Sequence, residues 1–130
     1  MTRLLETLSI AATGMQAQAE RLRFVSENVA NEDTPGYRRK VTTFEEVVEA
    51  GKRTGKVQTG PVKLDQSGLT RIYDPGNPLA DQTGYYDGSN VNLVVEIADA
   101  REAQRSYEAN LRVFDQARQM SKNLLDLLRR

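Results

Sequence analysis

The fold is decided at Asn28-Val29-Ala30-Asn31-Glu32-Asp33-Thr34-Pro35-Gly36-Tyr37, residues 28–37, which follow a long amphipathic stretch. Asn and Asp side chains compete with the hydrogen bonds of a helical backbone. Pro35 disfavours helical geometry at Thr34 and cannot continue a helix itself. Residues 34–37 predict a type II turn, because proline suits its second position and glycine supplies the positive φ at its third. The sequence therefore predicts a long helix that ends near Ala30 and a sharp turn after it.

Residues 3–30 repeat apolar side chains at alternating spacings of four and three, the pattern of a coiled-coil seam. The seam consists of Leu4, Leu8, Ala11, Met15, Leu22, Val25 and Val29, with the polar Gln18 as its one break. Gly14 lies inside this helix, where glycine costs about 1 kcal/mol relative to alanine. It either lets a neighbouring helix approach closely or is simply tolerated.

A second seam with the same spacing runs through residues 93–128. It consists of Ala103, Tyr107, Asn110, Phe114, Ala117, Ser121, Leu124 and Leu128, and it is widened by Leu111 and Leu125. Asn90 or Asn92 is suited to cap this helix. At about 1.5 Å per residue, each helix is expected to be about 40–50 Å long. We therefore expect a mainly α fold, in which long N- and C-terminal helices form an elongated, antiparallel, coiled-coil-like pair.

The middle of the chain, residues 38–89, is rich in glycine and proline and is expected to form a small, partly β extension. Residues 56–59 and 62–65 alternate like strands around Gly60-Pro61, and residues 69–73 are expected to pair with one of them. Residues 74–77 predict a second Pro-Gly turn. Residues 43–46 fit a capping box before a short helix that ends near Gly51, although an extended conformation of residues 39–44 competes. The predicted domains are thus a helical core, residues 1–37 and 90–130, and the extension, residues 38–89.

Composition excludes several classes of protein. Lys plus Arg and Asp plus Glu number 18 each, so no overall basic field attracts nucleic acid or an anionic membrane. The chain has no Cys and no His, which removes disulfides, thiolate sites and the commonest acid-base side chain. A hydrophobic fraction of 38% with 6% aromatic residues makes a thin core. Such a chain is expected to bury its apolar stripes against neighbours. Without a cleavable signal peptide, its default location is the cytoplasm.

Charged and polar clusters have ordinary structural explanations. The carboxylates of Glu45, Glu46 and Glu49 lie in a solvated stretch, and other carboxylates stand at turns: Asp74, Asp81 and Asp87. Catalysis needs carboxylates in a cleft with perturbed pKa values, so we expect no catalytic residue, cofactor or metal. The basic runs at residues 38–40 and 129–130 are expected to be solvated or to form ionic contacts between subunits. Gln18 and Asn110, polar residues on the seams, either fix the helix register or reach water.

These motifs closely resemble the bacterial flagellar axial proteins, which build the rod and hook. Residues 28–37 match the N-terminal signature of that family, and residues 90–96 open a matching C-terminal segment. Residues 73–81 with Gly84-Tyr85 make the resemblance strongest to the proximal-rod members, whereas residues 41–72 show no specific match. The N-terminal pattern is matched at Gln18, Arg21, Leu22, Asn28, Ala30, Asn31, Pro35, Gly36 and Tyr37. The C-terminal pattern is matched at Arg105, Tyr107, Ala109 and Asn110.

The resemblance implies a structural subunit of the proximal rod that catalyses no reaction and transmits torque within a helical assembly. The matched residues are expected to pack within and between subunits. Implied partners are copies of itself, other rod subunits, the rod-adaptor protein and the membrane ring of the basal body, with no nucleic acid or small-molecule substrate. The implied location is the periplasmic rod, reached through flagellar type III export without a cleaved signal peptide. The alternatives are a sister proximal-rod subunit, a cytosolic helical adaptor or export chaperone and, more distantly, an enzyme.

Overall fold

A computed structural model describes residues 2–130, which form two long helices with six short strands between them. The elements in chain order are α1 (Thr2–Ala30), β1 (Lys40–Val41), β2 (Phe44–Glu49), β3 (Lys52–Thr59), β4 (Lys63–Leu64), β5 (Arg71–Tyr73), β6 (Tyr85–Asp87) and α2 (Leu93–Leu128). Both predicted helices are confirmed. Asn92 caps α2, because its side chain accepts a hydrogen bond from the Val94 amide. Neither helix has an apolar stretch long enough to cross a membrane.

The two helices pack side by side in antiparallel orientation. Three contacts establish the register: Gly14 lies against Asn110, Arg21 binds Glu102, and Asn28 binds Glu96. The same register carries the last turns of α2, residues 124–128, beyond the start of α1. Their leucines are accordingly exposed. The predicted helical hairpin is therefore correct, and one of its helices projects past the other.

Small side chains line the contact between the helices. The buried apolar residues are Ala11, Ala17, Phe24, Val25, Ala103 and Ala117, and Gly14 is buried among them. Alanine and glycine let two helix backbones approach closely, which moves larger side chains to the flanks of the contact. The close-approach explanation of Gly14 is thus confirmed, because a Cβ built there would lie 2.8 Å from the Asn110 side chain.

The predicted seams are therefore only partly correct. In α1, Ala11 and Val25 are buried; the half-buried members are Leu4, Leu8, Met15, Gln18 and Leu22. Val29 is exposed, since the contact line passes through Asn28 instead. In α2, Ala103 and Ala117 are buried; the half-buried members are Tyr107, Asn110, Phe114 and Ser121. Four predicted members of the second seam are exposed: Leu111, Leu124, Leu125 and Leu128. The prediction is wrong for Leu124, Leu125 and Leu128 because these residues lie beyond the start of α1.

The extension consists of three two-stranded antiparallel ribbons. β2 pairs with β3, β1 with β4, and β5 with β6. β3 lies on α1, where the Val57 amide donates to Thr13 Oγ1 at 3.2 Å and Thr59 Oγ1 donates to Glu20 Oε2 at 2.6 Å. β2 is therefore the outer strand of its ribbon. Ala50 and Gly51, both at positive φ, form the two-residue turn between these strands.

The structure tests three sequence predictions for the extension: the short helix after Thr43, the strands around Gly60-Pro61 and the turn at residues 74–77. The short helix after Thr43 is wrong, because the backbone there pairs with β3 and the extended alternative continues as far as Glu49. The strands around Gly60-Pro61 exist, but they do not pair with each other, and residues 71–73 pair with β6 instead of either. The turn at residues 74–77 is confirmed by a 3.0 Å bond from the Asn77 amide to the Asp74 carbonyl. The two wrong or incomplete predictions are those in which strand pairing decided the conformation.

The chain exposes more surface than a compact protein of its size. Its accessible area is 9188 Å² for 14.6 kDa, whereas a compact monomer of that mass exposes roughly 6,900 Å². Among residues 2–130, only six apolar residues are buried, and many large apolar side chains are exposed along both helices. The isolated subunit is thus elongated with a thin core, as its composition predicted.

Substitution at Gly14 tests the close approach of the helices. In an exposed helix interior, Gly→Ala stabilises by about 1 kcal/mol, but here the added methyl group meets Asn110. We expect Gly14→Ala to be more favourable in an Asn110→Ala background than in the natural chain, by about 1 kcal/mol or more. The measurement is a double-mutant cycle of urea unfolding in sucrose, which keeps a marginal chain folded. Strictly additive effects would show that the two residues do not touch.

Candidate subunit-packing site

The end of α1 is closed by its own asparagine. The Asn31 amide donates to the Glu27 carbonyl at 3.1 Å, and the Asn31 side chain donates to the same carbonyl at 2.8 Å. Asn31 Oδ1 then accepts from the Thr34 hydroxyl at 3.0 Å. The last carbonyls of a helix have no partner within the helix, so these side-chain bonds stabilise its terminus. The helix stop predicted from residues 28–37 is therefore confirmed.

The turn that follows redirects the chain toward the extension. Gly36 has φ +75°, and the Tyr37 amide donates to the Thr34 carbonyl at 3.2 Å, as the predicted turn requires. The Gly36 amide donates to the carbonyls of Asp87 and Gly88, each at 3.1 Å. The Ser89 hydroxyl also donates to the carbonyl of Glu32. These bonds attach the turn to the end of β6, just before α2.

Asn28 is the most connected side chain in this region, and it is 1% exposed. Its amide nitrogen donates to the Lys40 carbonyl at 3.0 Å and to Glu96 Oε2 at 3.3 Å. Its oxygen accepts from the Lys40 amide and from the Tyr37 hydroxyl, both at 2.8 Å. A carboxamide has two donor hydrogens and two acceptor sites, so Asn28 is fully satisfied. One side chain thereby links α1, α2 and the incoming chain.

Glu96 is a carboxylate with no exposed surface, and it is paired with Arg39. Arg39 Nε donates to Glu96 Oε1 at 2.7 Å, and its terminal nitrogens reach Asp99 at 3.2 Å and Asp65 at 3.4 Å. Burial opposes the charge on Arg39, but bonds to Glu96 and the other carboxylates prevail and raise the pKa of the guanidinium. Glu96 therefore faces a permanent cation, which makes its burial tolerable.

Asn90 holds the same segment from the α2 side. Its Oδ1 accepts from the Arg39 amide at 2.7 Å, and its Nδ2 donates to the Asp65 carbonyl at 2.9 Å. The Asn90 amide donates to the Tyr37 carbonyl at 3.3 Å. Burial raises the pKa of the Tyr37 hydroxyl, so it stays neutral and able to donate. Below, the joint means these five residues: Asn28, Tyr37, Arg39, Asn90 and Glu96.

Further ion pairs surround the joint. Arg21 binds Asp99 at 3.3 Å and Glu102 at 3.4 Å, and its guanidinium lies 6.0 Å from the centre of the Phe44 ring. Lys40 binds Glu27 at 2.7 Å, and this hydrogen bond lowers the pKa of the Glu27 carboxyl. The prediction that residues 38–40 are solvated or reach another subunit is wrong for Arg39 and Lys40, since both pair within the chain.

The structure separates the predicted site residues into two groups. One is gathered around the joint and the helix end: Arg21, Asn28, Asn31, Gly36 and Tyr37. The other lies apart from the joint, along α2: Arg105, Tyr107, Ala109 and Asn110. Asn110 meets Gly14, and its Nδ2 donates to the Ser106 carbonyl at 3.0 Å.

The remaining predicted residues have simpler surroundings. Leu22 and Gln18 are half-buried on the flanks of the helix contact. Gln18 Oε1 is buried and accepts no hydrogen bond from residues 2–130. Ala30 and Pro35 are exposed at the end of α1 and in the turn. None of these four residues lies in a cluster of catalytic or ligand-binding side chains.

Sequence reasoning missed Arg39 and Glu96 as partners. One signal was present: Glu96 lies seven residues before Ala103, so a charged side chain occupies an expected seam position. Two of the carboxylates that the sequence reasoning weighed as catalytic form ion pairs within the chain instead: Asp81 and Asp87 both bind Arg71, at 2.6 and 2.9 Å. Over residues 2–130, no group of Asp, Glu, His or Cys side chains is arranged to hold a metal ion.

Comparison with known proteins matches both ends of the chain. Residues 8–38 match the family model described as Flagella basal body rod protein, and residues 82–127 match Flagellar basal body rod FlgEFG protein C-terminal. The chain is similar to the flagellar basal-body rod protein FlgC of Agrobacterium fabrum, with 43% identity over 127 residues, 92% of this chain and 91% of that one. It is similar to the FlgC of Salmonella typhimurium, with 35% identity over 95% of this chain and 97% of that one. It is also similar to the FlgC of Aquifex aeolicus, with 38% identity over 120 residues, 88% of this chain and 89% of that one.

Removal of the Asn28 side chain tests the joint. Asn28→Ala deprives Tyr37, Lys40 and Glu96 of buried partners, so we expect a loss of about 2–4 kcal/mol in the free energy of unfolding. Tyr37→Phe removes one of these bonds and should cost about 1 kcal/mol. The matched control is Asn123→Ala, an exposed amide on α2, which should change stability by less than about 0.5 kcal/mol. The measurement is urea unfolding in sucrose; equal losses for Asn28→Ala and Asn123→Ala would contradict the role of the joint.

Proposed function

The chain belongs to the FlgC family of flagellar basal-body rod proteins and is a structural subunit of the rod; from this premise we propose that it forms part of the proximal rod and transmits torque there. Its family places it in the flagellar basal body, where it assembles with other rod components. The sister-subunit and cytosolic-adaptor alternatives are not favoured by these relatives. Since the relatives are structural proteins, we propose that this chain also performs no catalysis.

The observation that carries the proposal is the apolar surface at the projecting end of α2. Leu127 is 61% exposed, and it lies among three other exposed leucines of residues 124–128. Apolar groups of this size favour burial by about 1.5–3 kcal/mol each, so a partner that covers them gains substantial stability. Contacts in which one surface meets a different surface of the next subunit do not close, and repeated they generate a helix. A rod is such an assembly.

Torque requires that the helical core and the extension move as one body. We propose that residues 1–37 with 90–130 form the core, that residues 38–89 form the extension, and that the joint couples them. Its bonds to Glu96 are charge-assisted and buried, and such bonds are roughly twice as strong as neutral ones. A force on the extension therefore reaches both long helices through Arg39 and Asn28.

The family-motif residues then have two proposed roles. Those in or near the helix contact maintain the shape of the subunit: Gln18, Arg21, Leu22, Asn28, Asn31, Gly36, Tyr37, Tyr107 and Asn110. Those with exposed side chains contact neighbouring subunits: Ala30, Pro35, Arg105 and Ala109. This division follows burial except at Gly36, which is exposed and is placed in the first group because its positive φ forms the turn. A buried side chain can contribute to assembly only through the shape of its own subunit.

We propose specific surroundings for the assembled chain. Its partners are copies of itself, other rod subunits, the rod-adaptor protein and the membrane ring of the basal body. Its location is the periplasmic part of the rod, and it gets there through the flagellar type III export apparatus without a cleaved signal peptide. Membership of the rod family supports each of these proposals.

Leu127→Asp tests the proposal that the projecting end of α2 is covered on assembly. Because Leu127 is exposed in the subunit, the substitution should change the stability of the isolated chain by less than about 0.5 kcal/mol. In the assembly it would bury an unpaired carboxylate. We expect the variant to be exported normally, but to be depleted from purified basal bodies, with loss of motility.

The matched control is Asn123→Asp, which places the same charge at a polar, exposed position one turn earlier. It should incorporate like the natural chain. If Leu127→Asp incorporates as well as Asn123→Asp, the projecting end is not part of an interface, and another surface must hold the subunit in the rod.

A further inference from the structure

One pattern of contacts repeats three times along α1. In Thr13-Gly14-Met15, Glu20-Arg21-Leu22 and Glu27-Asn28-Val29, the first residue binds the extension and the second meets α2. Successive residues of a helix lie about 100° apart around its axis. The third residue of each triplet therefore lies on the side away from the extension, next to α2. All three of these residues are apolar, so they form a stripe on that side.

α2 presents a matching row on the same side. Glu96, Ala103 and Asn110 lie on the contact with α1 at intervals of seven residues. Asp99, three residues after Glu96, binds Arg39 of the extension. The residue directly after Glu96 therefore lies on the other side of the contact, away from the extension. The same holds for the residues that follow the other two contact positions, and the row is Ile97, Gln104 and Leu111.

The two rows border a groove along the uncovered side of the helix pair. We name it the open groove, and its members are Met15, Leu22, Val29, Ile97, Gln104 and Leu111. None of these side chains is charged. The groove is most open near the joint, where Val29 is 42% and Ile97 51% exposed, whereas Met15 and Leu22 are half-buried. Val94, one turn before Ile97, extends the exposed apolar surface at this end.

The spacing of the groove residues indicates that a helix covers them. In both rows the members are seven residues apart, which is the interval at which one helix presents side chains to another. The partner helix within the subunit lies on the neighbouring side, where it meets Gly14, Arg21 and Asn28. A third helix in the groove needs an uncharged apolar face, because a charge buried there would have no partner.

The projecting end of α2 has a face of this kind. Four exposed leucines lie within residues 124–128, and this segment extends beyond the start of α1. Asp126 lies two residues from both Leu124 and Leu128, so it is on the opposite side of the helix and leaves the leucine face uncharged. The segment is about 6–8 Å long, which fits the distance of about 10 Å between Leu22 and Val29 along α1.

The projecting end cannot fill the groove of its own subunit. The open end of the groove lies beside the start of α2, and the leucines lie at the end of the same helix. α2 has 36 residues, so about 50 Å separates its two ends. An end that fills a groove must therefore belong to another molecule.

We propose that the projecting end of α2 of one copy of this chain docks in the open groove of a second copy, beside Val29 and Ile97. The inference rests on the proposed self-association in the rod and identifies the surfaces used. The contact joins two different surfaces at opposite ends of the subunit, so it repeats from copy to copy without closing. Burial of the leucines against the groove removes apolar surface of both copies from water.

Cross-linking in the assembled rod tests the contact directly. The natural chain has no cysteine, so Ser26→Cys with Leu128→Cys provides the only two thiols of this subunit. Ser26 is exposed and lies one turn from both Leu22 and Val29. Axes of packed helices are about 8–10 Å apart, which a short bismaleimide spans, whereas the two thiols of one copy are too far apart. Purified basal bodies are treated with this reagent, and products are identified by mass.

We expect multimers of this chain from Ser26→Cys/Leu128→Cys and only monomer from either single variant. The matched control pairs Leu128→Cys with Gln58→Cys, an exposed residue of β3 on the side of the extension. This control should remain monomeric. Equal yields from the control and from the pair with Ser26→Cys would overturn the docking.

A charge placed on each surface provides an independent measurement. Ile97→Lys and Leu127→Asp should each lower incorporation into basal bodies by at least about tenfold, because each buries an unpaired charge. Together in one chain they should regain most of the loss, since the two charges then meet. The control is Ile97→Lys with Asn123→Asp, which places the carboxylate outside the leucine face and should stay depleted. Both Ile97 and Leu127 are exposed in the subunit, and unchanged circular dichroism confirms that the variants fold.

The outcomes separate this inference from the proposed function. If the natural chain is in basal bodies but Ser26→Cys/Leu128→Cys gives only monomer, the docking is wrong and the rod function stands. Adducts with a protein of another mass in place of multimers also overturn it, since the partner is then not a second copy. A double charge variant that incorporates no better than Leu127→Asp counts against it in the same way. If the natural chain is absent from basal bodies, the proposed function itself fails.

Discussion

The subunit depends on one buried carboxamide and the ion pair beside it. Asn28 uses its full hydrogen-bonding capacity on residues from α2 and from the chain that leaves the turn. Glu96, fully buried, has Arg39 as its cationic partner. A buried charge without a partner costs several kcal/mol, so each member of this group is required by the others. These bonds hold the extension against the start of α2, while the contact of β3 with α1 holds it against the other helix.

Apolar packing has a different role in this chain. The buried residues are mostly alanine and glycine, which allow close approach but bury little apolar area per residue, and the exceptions are Phe24 and Val25. Most other large apolar side chains lie on the flanks or outside. The exposed apolar side chains are therefore available to contacts between subunits in the proposed assembly, while the joint maintains the shape of the subunit that presents them.

The accuracy of sequence reasoning followed the range of the interactions. The bounds of α1 and α2, the turn at Gly36 and the cap at Asn92 depend on neighbours within a few residues, and the sequence predicted them. The capping signal at residues 43–46 was outweighed by pairing with β3 across the turn at Ala50-Gly51, which the sequence reasoning did not anticipate. The Arg39–Glu96 pair joins positions 57 residues apart. The one local signal for this pair in the sequence was Glu96, a charged residue at an expected seam position. The seams themselves were misplaced because a heptad pattern favours large side chains, whereas the helices meet at small ones.

The central claim is that the joint orders one end of the helix pair and that assembly orders the other. Hydrogen exchange tests this claim most directly. In the free chain, we predict the strongest amide protection near Asn28 and Glu96, and weak protection over the first turns of α1 and over residues 124–128. In purified basal bodies, protection should rise most at those weak ends. Uniform strong protection along both helices in the dilute free chain would contradict the account, because the helix pair would then be complete without its neighbours.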